Sequence, residues 1–157
     1  MSDPSRARDI VQSQLPAIRH ATAQADAFAP SNIALCKYWG KRDKQLNLPV
    51  NPSLSISLGE LGTRTRLSPV DANQDQVSLN GQLLALESGF AAKVVQFVDL
   101  FRRADDARLL IQTHNSIPTA AGLASSASGF AALIKAIDQL YGFGLTQQQL
   151  SAFARLG

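Results

Sequence analysis

One cysteine in 157 residues, Cys36, excludes an internal disulfide and leaves no thiol cluster for a metal, so it reads as a small buried hydrophobe. No apolar run is long enough to cross a bilayer, and no charged-then-apolar leader opens the chain. The expectation is a cytoplasmic protein without a membrane partner. No internal repeat and no low-complexity tract is present, which sets repeat architectures aside. Charge is sparse too, at 17% of residues with a net charge of +3. That balance permits an anionic ligand or nucleic acid and decides for neither. Hydrophobic residues make up 45%, an ordinary globular proportion, and the length suffices for the core of one domain.

The most informative stretch is marked by a further absence. Residues 118–129, PTAAGLASSASG, carry no charge and no bulky side chain. They follow a strand-like run, Leu109, Leu110 and Ile111, that leads into Thr113, His114 and Asn115, and they precede an amphipathic helix. Backbone N–H groups and three hydroxyls (Ser125, Ser126, Ser128) therefore gather at a helix start. Unpaired amides and the positive end of the dipole make an anion site there, and a polyphosphate is the natural guest. The alternative is a small-residue turn that lets the helix pack closely on a sheet, because Gly and Ser also mark ordinary turns. The Walker pattern is missing, so this would be a different kind of phosphate loop.

Phe130, Leu133, Ile134, Ile137, Leu140 and Tyr141 form one stripe at helical period, with Gly142 placed for a left-handed cap. A second helix carries Phe90, Val94, Phe97, Val98 and Phe101 and ends near Arg102 and Arg103, cations placed for its C-terminal dipole. Val77 to Leu84 reads as a hairpin, since Asn80 and Gly81 favour a type I′ turn. Glu60 to Leu67 reads as a turn and strand in which Thr63, Thr65 and Leu67 alternate with Arg64 and Arg66. Thr146 and Gln149 form a capping box for a last helix. Ile10, Val11, Gln14, Leu15 and Ile18 give a short helical pattern interrupted by Pro16, so residues 1–27 are expected to be a loosely attached helix or flexible arm without chemistry. Strands first and helices covering them point to an α+β layer fold.

A second chemical signal lies between Ala29 and Leu58. Lys37, Lys41, Arg42 and Lys44 fall within eight residues, with Tyr38 and Trp39 between them. Lysines spaced around a turn at Gly40 can converge on one anion, each as a hydrated point charge suited to phosphate. A solvated charged face is the plainer alternative. Asn47, Pro49, Asn51 and Pro52 punctuate the loop before an alternating strand, Leu54 to Leu58, and cationic loops delivered by strands are common in ligand sites.

The segments NIALCKYWGKRD from Asn32, LNLPVN from Leu46 with the serine-rich strand after it, and IPTAAGLASSASG from Ile117 occur in this order. Together they resemble the diphosphomevalonate decarboxylase family of the GHMP small-molecule kinase superfamily, over roughly residues 28–157. The resemblance implies a ribosomal-protein-S5-domain-2-like N-terminal domain over residues 28–157, followed in the family by a second α/β domain. It implies use of ATP and magnesium to phosphorylate the 3-hydroxyl of mevalonate 5-diphosphate, with loss of phosphate and carbon dioxide giving isopentenyl diphosphate. By the same match, Asn32, Tyr38 and Lys41 meet the substrate, Lys37 belongs to the active site, and Gly122, Ser125 and Ser126 form the ATP phosphate loop. Ser126 is the most sensitive hydroxyl, and Thr113 stands where relatives carry a serine near the nucleotide. His114 reads as a loop residue without a role and Trp39 as packing. No side chains here are assigned as protein ligands of a metal.

Past Gly157 the family pattern would continue into a serine-rich turn and an arginine, and later into an aspartate that orients the 3-hydroxyl. The chain is therefore expected to be the N-terminal part of the enzyme, inactive alone, with a homodimeric full-length form. A sibling mevalonate 3-kinase or phosphomevalonate decarboxylase would share the scaffold and the ATP loop. A nucleic-acid-binding module is the reading from another class, and no aromatic-basic interleaving beyond residues 37–44 supports it.

Overall fold

The computed structural model describes residues 4–37, 40–43, 46–117 and 125–157. Among them a five-stranded mixed sheet, ordered β1-β4-β7-β5-β6, is built from β1 (Ala25–Cys36), β4 (Leu54–Val70), β7 (Arg108–Asn115), β5 (Gln76–Leu79) and β6 (Gln82–Leu84). All pairings are antiparallel except β5 with β7. A two-stranded ribbon joins β2 (Lys41–Asp43) to β3 (Leu48–Pro49). The helices are α1 (Pro4–Gln14), α2 (Gly89–Asp99), α3 (Ser125–Tyr141) and α4 (Gln147–Ala154). This is the α+β arrangement that the patterning implies.

The core lies between the sheet and the helices. Leu67, Val77, Leu109 and Ile111 of the sheet meet Val94, Phe97 and Val98 of α2 and Leu133, Ile134 and Ile137 of α3. The alternation in β4 holds: Thr63, Thr65 and Leu67 are buried, whereas Arg64 and Arg66 are exposed and pair with Asp26. Asn80 and Gly81 both have positive φ, 51° and 83°, as a type I′ hairpin requires. Gly142 caps α3 at φ 62°, and the Thr146–Gln149 capping box is formed.

Four expectations are corrected. No turn at Glu60 divides the chain; β4 runs unbroken, and its pairing with β1 jumps from Pro30–Gly62 to Asn32–Ser57. Pro30 has no N–H to donate and sits on the edge strand, where such a lapse is tolerated. Arg102 does not serve the α2 dipole but is buried against Asp75, while Arg103 donates to the Ala17 carbonyl. Phe90 leaves the core stripe and is 41% exposed. Cys36 is exposed, at the end of β1 where all four final residues, 33–36, are exposed among the described residues.

The segment ahead of Phe28 contains α1, whose Val11 is fully buried in the core cluster. After it, Arg19 donates to Asp106 at 2.7 Å and to the Phe101 carbonyl at 2.9 Å, and Thr22 N–H donates to the Leu140 carbonyl at 2.8 Å.

Candidate functional site

The start of α3 is fixed from below by hydroxyls. Ser128, in its first turn, is 2% exposed and lies 2.9 Å from Ser31 Oγ of β1 and 2.8 Å from Thr63 Oγ1 of β4. Thr63 in turn donates to Asn115 Oδ1 at the end of β7, at 2.8 Å. One buried hydroxyl thus joins the helix start to three strands of the sheet. Buried polar groups are held this way because an unpaired one costs roughly 1–3 kcal/mol.

Ser126, two residues earlier, faces outward and is exposed. It lines a groove of about 390 Å³ with Thr113, Asn115, Lys93, Phe90 and Phe130. Aromatic and aliphatic walls with a few polar groups among them suit a flat, partly apolar ligand carrying charge. The structure therefore brings Thr113 and Ser126 to one place. The Thr113 hydroxyl is engaged inward, 3.3 Å from Thr65 Oγ1.

The basic segment approaches from the other side. Gly40 turns the chain at φ 80°, and β2 follows directly. Lys41 Nζ donates to Asn47 Oδ1 at 2.6 Å, and Asn47 Nδ2 donates to the Arg155 carbonyl at 2.7 Å. Lys41, Asn47 and Lys93 line a second groove of about 690 Å³. Lys93 and Phe130 border both grooves, so the two are neighbours. Asn32 follows Ser31 in β1 and pairs with Ser57, and Lys37 is exposed just past the strand. Neither is among the described residues that line these two grooves. Tyr38, Gly122 and the Ser125 side chain lie outside the described residues, although Ser125 opens α3.

Sequence patterning missed Ser31, Thr63, Asn115, Phe90 and Lys93. A signal existed for Lys93, three residues past Phe90 and so on that edge of the helix. Thr63 and Asn115 are partners across β4 and β7, and Ser31 meets Ser128 97 positions away, contacts that leave no trace in spacing.

Among the described residues no group of three or more His, Cys, Asp or Glu stands together. A protein cage for a divalent ion is thus not formed by them. Magnesium accompanying a nucleotide needs none, since it keeps several waters and takes most other ligands from phosphate oxygens. A hydroxyl such as that of Ser126 fits the remaining place.

A family model described as the diphosphomevalonate decarboxylase-like N-terminal domain matches residues 29–157. Diphosphomevalonate decarboxylase of Candida albicans is 43% identical over 148 residues, which cover 85% of this chain and 40% of that protein. The crystal structure of mevalonate diphosphate decarboxylase from Staphylococcus aureus superposes with a TM-score of 0.78 at 39% identity, over 85% of this chain and 41% of that one. A relative in complex with MVAPP, AMPPCP and magnesium matches with a TM-score of 0.66 at 36% identity, over 85% of this chain and 41% of its own. The chain thus spans about two fifths of the length of the relatives it matches. On the family match and on shared sequence and fold, this chain belongs to the diphosphomevalonate decarboxylase-like N-terminal domain family.

Proposed function

We propose that this chain is the nucleotide- and substrate-binding part of an ATP-dependent decarboxylase that converts mevalonate 5-diphosphate to isopentenyl diphosphate, in the whole protein a cytoplasmic homodimer. The observation that carries this reading is the bond between Ser128 of α3 and Ser31 of β1. It relates the serine-rich helix start to the strand that leads into the basic loop. Two polyanions must be held side by side for phosphoryl transfer, and catalysis of such a step is mostly positioning and charge stabilisation. The relative bound to MVAPP, AMPPCP and magnesium supports the same ligand set for this chain.

The chemistry follows from leaving-group quality. A tertiary hydroxide leaves poorly and a phosphate leaves well, so transfer of a phosphoryl group to the 3-hydroxyl lets that oxygen depart as inorganic phosphate when the carbon–oxygen bond breaks. Positive charge developing at that carbon draws in the electrons of the neighbouring carbon–carboxylate bond. Carbon dioxide is released and the alkene forms. Bound ATP with magnesium supplies the phosphoryl group and neutralises its charge.

This chain's residues divide the binding. Phe90 and Phe130 offer apolar walls for the base, with Thr113 at the same groove. Ser126 takes a phosphate oxygen or a place near the metal, and Gly122 and Ser125 belong to the same phosphate loop. Lys41, with Asn32 and Tyr38, receives the substrate's diphosphate, and Lys37 contributes positive charge at the reacting end.

Two measurements test this. The chain should bind Mg-ATP in a calorimetric titration. In the whole protein, carbon dioxide release should require ATP, magnesium and mevalonate 5-diphosphate together. Ser126→Ala should lower that turnover by about one to three orders of magnitude, as loss of a preorganised donor does. Unchanged turnover would remove Ser126 from the site. Preference for mevalonate 5-phosphate or mevalonate would replace the assignment with a sibling enzyme.

A further inference from the structure

Ser31, Ser128, Thr63 and Asn115 form a continuous chain of hydrogen bonds. Thr63 Oγ1 donates to Asn115 Oδ1 at 2.8 Å. Thr63 Oγ1 also lies 2.8 Å from Ser128 Oγ, a bond that either hydroxyl can donate. Ser31 then donates to Ser128 at 2.9 Å. All three hydroxyl residues are at most 2% exposed, and in such a setting each link polarises the next. The backbone of Asn115 is held as well, its N–H donating to Asn80 Oδ1 at 2.8 Å.

The chain ends at the groove, which Asn115 lines together with Ser126 and Thr113. A carboxamide whose oxygen is committed to Thr63 has its two N–H donors directed away from that bond. We propose that Ser128 and Thr63 are positioning residues that hold the Asn115 carboxamide with its donors toward the groove, where they meet an acceptor on the base or ribose of a bound nucleotide. This rests on the nucleotide-binding reading above. The same Ser128 hydroxyl that seats the phosphate-side helix start also sets the donor on the nucleoside side, so one buried contact aligns both ends of the ligand.

The test uses the 15N-labelled chain, Mg-ATP and inorganic tripolyphosphate. Thr63→Val removes the hydroxyl at nearly constant shape, and Thr63→Ser keeps it. The side-chain amide pair of Asn115, assigned by its disappearance in Asn115→Ala, should shift in Thr63→Val and stay in place in Thr63→Ser. Mg-ATP affinity should fall about tenfold in Thr63→Val and Asn115→Ala, as for one lost hydrogen bond, and change less than about twofold in Thr63→Ser. Tripolyphosphate affinity should be the same in Asn115→Ala and the parent. A purely structural role for Thr63 would not move the amide pair with the hydroxyl. If Thr63→Val fails to fold, Asn115→Ala decides between the nucleoside and phosphate arms. Parent-like Mg-ATP affinity in Asn115→Ala, or an amide pair indifferent to the Thr63 hydroxyl, overturns the proposal. A parent chain that binds no Mg-ATP instead overturns the nucleotide reading, while the amide signals still report on the carboxamide.

Discussion

Arg102 and Asp75 face each other inside the core, Nη1 to Oδ1 at 3.1 Å and Nη2 to Oδ2 at 2.6 Å, with the residues 6% and 3% exposed. Asp75 Oδ1 also accepts from the Leu109 N–H at 2.8 Å, so one carboxylate ties the exit of α2 to the entry of β5 and β7. Burial opposes the charge on Arg102, but its bonds to Asp75 prevail and hold its pKa above the ordinary value.

Removing one partner of this pair leaves the other charged and buried. Asp75→Ala is expected to cost about 3–5 kcal/mol in denaturant unfolding, far above an exposed pair's ~0–1 kcal/mol. The double variant Asp75→Ala with Arg102→Met should recover much of that loss, because no fully buried charge is then stranded; Asp99, which loses its 2.9 Å contact with Arg102 Nε, is half-exposed. A single-variant cost below about 1 kcal/mol would show that the pair adds nothing.

Tyr141 predicts an alkaline limit. Its ring is buried beside the Arg19 guanidinium, 4.7 Å from the ring centre, and its hydroxyl has no hydrogen-bond partner among the described residues. Burial pushes its pKa from 10.0 up to about 12. The folded state therefore keeps the proton that the unfolded chain releases from pH 10 upward. Stability from this group is intact below pH 10 and is lost as pH rises toward 12, by an amount on the order of 3 kcal/mol. Thermal melts between those pH values should show the decline, and Tyr141→Phe should flatten it. An equal decline in the phenylalanine variant would assign it to other groups.

Two glycines with positive φ should differ in what alanine does. At Gly142 (φ 62°) an added Cβ would lie 2.3 Å from the His20 carbonyl oxygen, whereas at Gly81 (φ 83°) it would meet open space. Gly81→Ala carries only backbone strain, about 1–2 kcal/mol. Gly142→Ala adds a clash with backbone that Thr22 has already tied to α3, so it should lower the melting temperature well beyond the Gly81 variant. Similar melting temperatures would mean that the residues around His20 yield easily.

Local grammar was legible in the sequence. The α3 stripe, the Asn80–Gly81 turn, the capping box and the Thr/Arg alternation of β4 each depend on neighbours within a few residues, and each is found. What escaped depends on partners far along the chain. Arg102 looked like a helix-end cation because Asp75 lies 27 positions away, and Ser128 looked like one of three equivalent hydroxyls because Ser31 lies 97 positions away. Cys36 was misplaced for a related reason, since burial follows from what packs over a strand and not from the residue. At the candidate site, the motifs singled out Thr113, Ser126 and Lys41, and the structure places the first two on one groove and Lys41 on its neighbour. Spacing alone could not reveal that Asn115 and Lys93 join them.

Lys41 tests the substrate side. Its ammonium is held by Asn47 at 2.6 Å, and Asn47 is anchored to the Arg155 carbonyl, so a flexible side chain is fixed at the rim of the groove it shares with Lys93. A fixed ammonium there would contact a substrate's terminal phosphate and gain little from the rest of the molecule. Lys41→Ala should weaken binding of mevalonate 5-diphosphate by about 10- to 100-fold, the value of one charge-assisted contact at roughly 1.5–3 kcal/mol. Mevalonate 5-phosphate should lose much less. Asn47→Ala frees the ammonium without removing it, so it should produce a smaller loss in the same direction. Calorimetric titrations of both ligands at one fixed salt concentration decide the matter, because the exposed lysine's attraction is itself screened by salt. Equal weakening for the two ligands would mean that Lys41 adds only general positive charge, and the assignment of the diphosphate to this loop would fall.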